Sequence, residues 1–281
     1  MKFSLWTNHG ALNSKPVFEA FATSLVNAGY NVVYNSDDAD VAVIWSVLWN
    51  GRMAANKKIW SARRKRDMPV IVLEIGSINR GTTWKVGLNG INRDAYLGPS
   101  GNDTERAKSL KIKTQPWKNS GNHILLCGQH EKSQQWDNMP EMNEWISSTV
   151  TRIRQHTNRP IVVRTHPRSR HRVVHPLNTI AAMPTKIPGS YDNYDLSFDD
   201  AWAVVNWSSN PGIQAVLEGI PAYVSRHSLA YEVANDIDDF SNIENPNRPD
   251  RQQWVNDYAH TEYTVSEIAN GIPLKNLTPR L

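Results

Sequence analysis

Cysteine is almost absent from this chain, and so are the features of several common protein classes. The 281 residues include one cysteine, Cys127, which lies in an apolar run that predicts a buried core thiol and has no partner for an internal disulfide. No apolar run approaches the roughly 18 residues that span a bilayer, and the N-terminal segment lacks a signal-peptide pattern. These absences favour a soluble protein of a reducing, cytoplasmic compartment.

Several signatures of known binding sites are missing too. Nothing matches a P-loop, and no Gly-x-Gly-x-x-Gly follows the first predicted strand, which disfavours kinases and dehydrogenases. His166, His171 and His175 lie near one another in sequence, but no helical histidine pair among them is backed by a carboxylate ligand. We therefore expect neither a metal nor a resident cofactor.

The length and the hydrophobic pattern fit two modest α/β domains. Apolar strands alternate with helices in two successive blocks, which predicts two Rossmann-like domains, each with a parallel sheet. We place these domains at 1–118 and 119–250, and we expect a helical tail, 251–281, to pack back on the first domain. Strands are predicted at 3–6, 30–34, 41–45, 69–73, 124–127, 161–164, 201–205 and 222–224. Helices are predicted at 16–27, 53–65, 142–155 and 252–269 and after Ser209, with an irregular region between the fourth strand and residue 117.

Two basic clusters dominate the charge distribution of a chain whose net charge is +4. The first is a ten-residue stretch without an acid that contains Lys57, Lys58, Arg63, Arg64, Lys65 and Arg66. The second contains Arg164, His166, Arg168, Arg170, His171 and Arg172. A basic helix face is most often solvated surface, whereas two such clusters also fit a polyanionic partner such as nucleic acid or a nucleotide phosphate. Both interpretations remain open on sequence alone.

The most informative motif spans residues 201–224 and reads as strand, polar turn, short helix and strand. Ser208, Ser209 and Gly212 lie where the helix begins, so hydroxyls and backbone N–H groups converge there. Gly219 and Pro221 end the helix before the next strand. This arrangement can hold a phosphate without a metal, and an ordinary strand–turn–helix of an α/β domain has the same pattern.

A second motif places a histidine at the end of a strand. Residues 161–164 are β-rich, and Pro167 biases the preceding His166 towards an extended backbone. Ligands of open α/β sheets bind at the carboxyl ends of strands, where this imidazole can donate to a phosphate that Arg164 or Arg168 neutralises. The alternative is a histidine that only hydrogen-bonds its own loop.

A third motif places Glu74 at the carboxyl end of an apolar strand, followed by Gly76, which permits close approach of another group. A partly desolvated carboxylate in this position can act as a general base for a hydroxyl. The alternative is a strand-end glutamate that caps the next turn or pairs with Arg80.

The order acidic-x-Gly, His-Pro, Ser-Ser resembles the bacterial glycosyltransferases of GT-B architecture that use CMP-activated sugars. These enzymes include the sialyltransferases. The chain also resembles the capsule polysaccharide synthesis family that contains the Kdo transferases, and residues 126–129, 164–167 and 208–221 look most like this second family. The resemblance covers about 70–225. It implies two domains facing a cleft, with Glu74 as the base and with His166, Ser208 and Ser209 at the donor phosphate. We expect the donor site also to contain Gly212, Arg164, Arg168, Gln129 and Glu218. Ile75 stands where the sialyltransferase motif usually has a second acid, which leaves the donor open between UDP- and CMP-linked sugars.

The resemblance implies a metal-independent transfer in which Glu74 deprotonates an acceptor hydroxyl. By size and charge the chain is similar to phage enzymes that glycosylate 5-hydroxymethylpyrimidines in double-stranded DNA, and we expect this acceptor. Alternatives are transfer of Kdo, sialic acid or another sugar to a surface polysaccharide, a sugar-phosphate epimerase, and a non-catalytic nucleic-acid-binding protein. The expected DNA contacts are Lys57, Lys58, Arg63, Arg64 and Arg80. Four tryptophans of the first domain either stack on a sugar or base or fill the core: Trp45, Trp49, Trp60 and Trp84.

Overall fold

Two α/β units make up the protein, for which a computed structural model describes residues 1–168, 174, 176–190 and 193–281. Unit 1 comprises residues 1–112 and 255–281, and unit 2 comprises residues 113–254. The predicted α/β class and the two Rossmann-like domains are confirmed. Four basic residues named above lie outside the described residues: Arg170, His171, Arg172 and His175.

The strands and α-helices of the two units have the following bounds. The strands are β1 (Lys2–Leu5), β2 (Asn31–Tyr34), β3 (Val41–Trp45), β4 (Val70–Ile75), β5 (Trp84–Leu88), β6 (His123–Cys127), β7 (Ile161–Arg164), β8 (Thr179–Ala182), β9 (Thr185–Lys186), β10 (Tyr194–Asp195), β11 (Ala201–Asn206), β12 (Ala222–Val224), β13 (Asn235–Asp236) and β14 (Glu262–Tyr263). The α-helices are α1 (Lys15–Asn27), α2 (Asn56–Arg64), α3 (Glu105–Ser109), α4 (Met142–Arg154), α5 (Asn210–Leu217), α6 (Gln252–Tyr258), α7 (Val265–Ala269) and α8 (Ile272–Leu277).

The sheet of unit 1 has the strand order β14-β5-β4-β3-β1-β2. The four strands β2, β1, β3 and β4 are parallel, whereas β5 pairs antiparallel with β4 and β14 pairs antiparallel with β5. The prediction of an irregular region after β4 is therefore wrong at β5, and the prediction of a continuous helix over 252–269 is wrong at β14. Lys85 and Gly87 interrupt the apolar pattern of β5, and two residues are too few to give β14 a periodic signal.

Alternation along the central strands gives unit 1 a core on both faces of its sheet. Val43 and Trp45 of β3 face the layer that contains α1, α7 and α8, where Phe21 is fully buried. Ala42 and Ile44 face the other way, towards the layer that contains α2. Side chains of a strand point alternately to the two faces, so a strand covered on both sides is apolar throughout.

The six-stranded sheet of unit 2 has the order β13-β12-β11-β6-β7-β8 and is parallel throughout. From the central β6 the chain winds through β7 to β8 on one side, and later through β11 and β12 to β13 on the other. The winding direction thus changes between β6 and β11. In open parallel sheets, ligands bind outside the carboxyl ends of the strands at this point. In unit 1 the corresponding change lies between β1 and β3.

Cys127 closes β6 and is buried in the core of unit 2, as predicted. Burial raises the pKa of its thiol to about 11, with Arg164 opposing this shift. A thiol that stays protonated at neutral pH is a poor nucleophile. Within the residues that the structure describes, no helix combines the length and apolar character needed to cross a bilayer.

Candidate functional site

Three polar side chains lie side by side at the carboxyl edge of the unit 2 sheet. Gln129, His166 and Ser208 each stand two residues beyond the last residue of β6, β7 and β11, respectively. The last residues of those strands are in register, because Cys127 pairs with Arg164 on one side and with Asn206 on the other. The topology therefore brings together residues that are far apart in the sequence, at the edge where a parallel sheet binds ligands.

Gln129 and Ser208 bridge the change of winding between β6 and β11. The Gln129 side-chain oxygen, Oε1, accepts hydrogen bonds from the Ser208 backbone N–H at 3.1 Å and from the Ser208 hydroxyl at 3.2 Å. Both residues are more than 95% buried. Ser208 thus holds the turn, and its hydroxyl hydrogen would have to leave Gln129 before it could reach a phosphate.

Ser209 is the N-cap residue of α5, with an extended backbone. Its Oγ accepts a hydrogen bond of 2.7 Å from the Asn206 side-chain amide, and this bond does not use the hydroxyl's own hydrogen. Pro211 lies in the first turn, where a missing N–H costs no intrahelical hydrogen bond. The cap is therefore oriented by Asn206 in a way that leaves its hydroxyl hydrogen pointing elsewhere.

Gly212 has a packing role that is distinct from phosphate binding. A Cβ at this position would lie 2.4 Å from the Asn206 Oδ1 and 2.7 Å from a Val224 methyl group. Its N–H bonds the Ser209 carbonyl at 3.3 Å. Only glycine therefore lets α5 approach β11 and β12 this closely.

His166 is held by its own loop. Its Nδ1 accepts the Arg168 backbone N–H at 3.1 Å, so the hydrogen of the neutral ring is on Nε2. Arg164 is directed elsewhere: its guanidinium donates to the Ser197 carbonyl and lies 5.6 Å from the centre of the Phe198 ring. The buried Nη1 of Arg164 has no hydrogen-bond partner in the structure.

Glu218 lies apart from the other predicted donor-site residues. It is exposed at the C-cap of α5, at the opposite end of this helix from Ser209. Eight helical residues separate the two ends by about 12 Å. The structure therefore brings Gln129, His166, Ser208 and Ser209 together, and leaves Glu218 outside this group.

In unit 1, Glu74 is the fifth residue of β4 and is half-buried. Its Oε2 accepts a 2.5 Å hydrogen bond from the Ser46 hydroxyl, and its Oε1 accepts the Ile75 backbone N–H at 2.8 Å. Ser46 directly follows β3 and has a positive φ of 63°, a conformation that residues other than glycine seldom adopt. The sequence reasoning missed Ser46, because a serine gives no sign of a left-handed backbone.

The loop after Glu74 is pinned by a second, fully buried carboxylate. Glu262 Oε1 accepts the backbone N–H and the hydroxyl of Ser77 at 2.7 and 2.8 Å. Its Oε2 accepts the Ile78 N–H at 3.0 Å and the Thr83 hydroxyl at 2.8 Å. A Cβ on Gly76 would lie 2.3 Å from this same Oε2. Gly76 thus permits the close approach that its place in the motif predicts, and the approaching group is Glu262.

Lys85 lies between these two carboxylates. It pairs with Glu74 across β4 and β5 and with Glu262 across β5 and β14, so the three side chains share one face of the sheet. Burial lowers the pKa of Lys85, and the charges of Glu262 and Glu74 oppose this shift. The sequence reasoning missed Lys85 and Glu262, since both lie in strands that it did not predict.

The first basic cluster is only partly a charged surface. Lys57 and Lys58 are exposed, and Arg64 forms a 3.7 Å ion pair with Asp67. Arg63 is buried and donates to the carbonyls of Ala39 and Asp37, and burial lowers its pKa. The prediction that Arg63 contacts DNA is therefore corrected, because this side chain links α2 to the turn before β3.

The remaining predicted residues of unit 1 take varied positions. Arg80 is half-buried, and its backbone forms a bridge with Thr83. The predicted tryptophans mostly pack inside: Trp45, Trp49 and Trp84 are more than 90% buried, and Trp60 is half-buried. Among the described residues, no three histidine, cysteine or acidic side chains are grouped as metal ligands would be.

A cavity of about 500 Å³ opens in unit 1 beyond the carboxyl ends of β1 and β2. This volume is within the usual range for a small-molecule site. Its lining residues include Thr7, Ser14, Lys15, Phe18, Tyr34 and Arg52.

The chain is similar in structure to known proteins, but its sequence matches no protein-family model. No protein-family model matches the chain, and no curated protein matches it in sequence. The structure is similar to the β-Kdo 2,7 transferase of Thermosulfurimonas dismutans KpsC, with a TM-score of 0.56 and 15% identity over 98% of this chain and 100% of that one. It is also similar to the β-Kdo 2,4 transferase of the same KpsC, with a TM-score of 0.52 and 13% identity over 97% and 98% of the two chains. At these identities the similarity establishes a shared fold over nearly the whole chain, and it confirms the fold that the motifs suggested.

Proposed function

We propose that the protein is a glycosyltransferase that moves a sugar from a nucleotide-activated donor to a hydroxyl group of a glycan. This proposal rests on the position of three residues. Gln129, His166 and Ser208 lie at the carboxyl edge of the unit 2 sheet, beside the N-cap of α5. The shared fold with two Kdo transferases supports the same assignment. A CMP-linked acidic sugar such as Kdo is the favoured donor, because the three motifs resemble enzymes that use CMP-activated sugars and both similar structures are named as Kdo transferases.

The donor phosphate would meet hydrogen-bond donors in unit 2. The Ser209 hydroxyl retains its own hydrogen, the N-terminus of α5 carries a partial positive charge, and the imidazole of His166 lies at the same edge of the sheet. These groups are already oriented by hydrogen bonds to Arg168 and Asn206. Donors fixed in advance stabilise the charge that develops on the departing nucleotide.

Glu74 would supply the base in unit 1. As the bond between the sugar and the phosphate breaks, the acceptor oxygen bonds to the anomeric carbon and its proton passes to a Glu74 oxygen. The nucleotide leaves with the electron pair of the broken bond. The contacts from Ser46 and the Ile75 N–H hold the carboxylate in place.

A glycan is a better supported acceptor than DNA. Both similar structures are named as sugar transferases that form Kdo linkages, and neither title names a nucleic acid. One of the five expected DNA contacts, Arg63, is buried among backbone carbonyls. We therefore favour a surface polysaccharide or oligosaccharide over hydroxymethylated DNA.

The test measures donor binding and then transfer. Thermal shifts with CMP, UDP and GDP would identify the nucleotide, and we expect CMP to stabilise the protein most. Transfer from CMP-Kdo is then assayed with a Kdo-terminated oligosaccharide and with hydroxymethylcytosine-containing DNA.

The variants Glu74→Gln and Ser209→Ala should each lower transfer at least about tenfold, whereas Glu144→Gln, an exposed residue of α4, should not. Stabilisation by none of the nucleotides would refute the proposed donor site. Transfer to DNA alone would refute the glycan acceptor.

A further inference from the structure

The cavity of unit 1 has walls that the chain holds in place by its own hydrogen bonds. Thr7, which lines the cavity, lies two residues beyond β1. Asn35, directly after β2, donates to the Thr7 hydroxyl oxygen at 3.3 Å and accepts the Asn8 backbone N–H at 3.1 Å. On the side of α1, the Ser14 hydroxyl donates to the Ala11 carbonyl at 2.7 Å. The cavity is therefore formed before a ligand binds, as is usual for small-molecule sites.

Apolar side chains are exposed around this cavity. Tyr34, the last residue of β2, is 56% exposed, and Leu12 is 74% exposed. Both line the cavity, and Phe18, which is buried in the core of unit 1, lines it as well. Exposed apolar side chains that are grouped around a concave surface, unlike scattered ones, indicate a ligand site. The ring of Tyr34 can pack against C–H groups of a ligand while its hydroxyl stays in contact with water.

The charges at the cavity favour a ligand with a single negative charge. Arg52 and Lys15 are exposed cations of the lining, and Glu19 is its carboxylate, so the net charge is +1. Lys15 lies 3.8 Å from Glu19 in an exposed ion pair, which contributes little to stability. The Arg52 guanidinium has no ion pair or hydrogen bond with any residue that the structure describes. A guanidinium can bind a carboxylate through two parallel hydrogen bonds.

The cavity is too far from Glu74 to hold the hydroxyl that reacts. The strand order β4-β3-β1-β2 places β4, which carries Glu74, two strands from β1 and three from β2. At about 4.8 Å per strand, the separation along the shared carboxyl edge is roughly 10–14 Å. A group bound in the cavity therefore belongs to a part of the acceptor other than the hydroxyl that Glu74 deprotonates.

We propose that this cavity binds an acidic sugar of the acceptor glycan that does not itself receive the transferred sugar. The carboxylate of this sugar bonds the Arg52 guanidinium beside Lys15, and one face of its ring packs against Tyr34 and Leu12. The inference rests on the proposed function and narrows its acceptor to acidic glycans. Binding at the cavity orients the glycan, so that a hydroxyl further along it reaches Glu74.

The experiment compares two acceptors of equal length in transfer from CMP-Kdo. One is an oligosaccharide of Kdo residues, and the other is the same oligosaccharide with its carboxylates reduced to alcohols. We expect Arg52→Gln to raise the KM for the acidic acceptor by roughly 5- to 20-fold, because a hydrogen-bonded charge pair is lost. Its kcat and its KM for the reduced acceptor should not change. Tyr34→Ala should raise the KM for both acceptors, since packing against the ring does not depend on the carboxylate.

Arg66→Gln is the matched control and should leave transfer to both acceptors unchanged. Arg66 is an exposed arginine of the same unit that precedes β4, so it lies at the opposite edge of the sheet from the cavity. Arg52 and Tyr34 are also exposed, and their replacement should change the unfolding free energy little. A KM for the acidic acceptor that Arg52→Gln leaves unchanged would overturn the inference.

Calorimetry of the acidic oligosaccharide without the donor separates this inference from the proposed function. Absence of transfer by the wild-type protein to either acceptor would overturn the proposed function. In that case, binding of the acidic oligosaccharide that Arg52→Gln weakens would still support an acidic-glycan site in the cavity. Absence of binding, or binding that Arg52→Gln leaves unchanged, would overturn this site.

Discussion

Replacing the buried Glu262 by glutamine should strongly destabilise unit 1, although the two side chains have nearly the same shape. Each carboxylate oxygen of Glu262 accepts one backbone N–H and one hydroxyl hydrogen. An amide group offers one acceptor oxygen only, and its nitrogen must face the other pair of donors. A hydroxyl can rotate and accept from this nitrogen, but the N–H of Ser77 or of Ile78 cannot, so one buried backbone donor loses its partner.

The size of the effect follows from these bonds. A buried backbone N–H that loses its acceptor lowers the unfolding free energy by about 1–3 kcal/mol. Each remaining hydrogen bond whose acceptor changes from charged to neutral lowers it by about 1 kcal/mol more. With three such bonds, the Glu262→Gln variant should lose roughly 4–6 kcal/mol of unfolding free energy. The loss of a negative charge beside the buried Lys85 acts in the same direction.

Urea unfolding followed by tryptophan fluorescence measures this loss directly. Glu105→Gln, an exposed substitution in the same unit, is the control and should change the unfolding free energy by less than about 0.5 kcal/mol. A loss below about 1 kcal/mol for Glu262→Gln would show that the four bonds do not hold the loop, and the reasoning would then fail. Transfer activity should fall along with stability, because the loop that Glu262 holds begins two residues after Glu74.

Three further predictions concern other parts of the chain. Gly212→Ala should lower the unfolding free energy by about 1–3 kcal/mol through overpacking against Asn206 and Val224, measured by the same urea titration; no change would mean that α5 can shift away from the sheet. The Cys127 thiol, whose pKa is raised to about 11, should remain unmodified by a thiol reagent at pH 8 in the folded protein and react once the protein is unfolded; rapid labelling of folded protein would contradict its burial. The hydrogen bonds from Arg106 and from the Thr264 N–H lower the pKa of Glu267 below its ordinary 4.5, although burial, the largest single influence, raises it. A lowered carboxyl pKa stabilises the folded state above pH 4.5 and loses this effect as the pH falls, so thermal unfolding measured from pH 6 to pH 3 should show a smaller acid-induced decrease in Glu267→Gln than in the wild type.

The sequence predicted the central strands of the parallel sheets well, because most of those strands are continuous apolar runs. It did not predict the edge strands β8 and β13 of unit 2 or the short pair β9 and β10. The bounds of β3, β7 and β12 agree with the prediction, and α4 differs by one residue at its end. The antiparallel strands β5 and β14 were not predicted. A lysine that is buried in β5 reads as exposed on sequence alone, and Glu262 in β14 is a charged residue whose burial depends entirely on partners from another segment.

Sequence motifs also revealed the candidate site residues, but they did not reveal the residues that hold them in place. His166, Ser208, Ser209 and Glu74 were found because strand ends followed by Pro, Ser or Gly leave a local pattern. The hydrogen bonds that hold these loops leave no local pattern in the sequence. Gln129 bonds Ser208, which is 79 residues away, and Glu262 bonds Ser77, which is 185 residues away. Such bonds exist only after the sheets have formed, so they could not be derived from spacing.

These hydrogen bonds and packing contacts also limit which motif residues can bind a ligand. Ser208 and Gly212 belong to the phosphate motif by position, yet one is tied to Gln129 and the other is a contact point between α5 and the sheet. The Ser209 hydroxyl oxygen, by contrast, accepts from Asn206 and keeps its own hydrogen for another partner, and His166 is oriented through its Nδ1 by the Arg168 N–H. We therefore expect substitutions of Ser209 and His166 to weaken nucleotide binding more than they weaken folding.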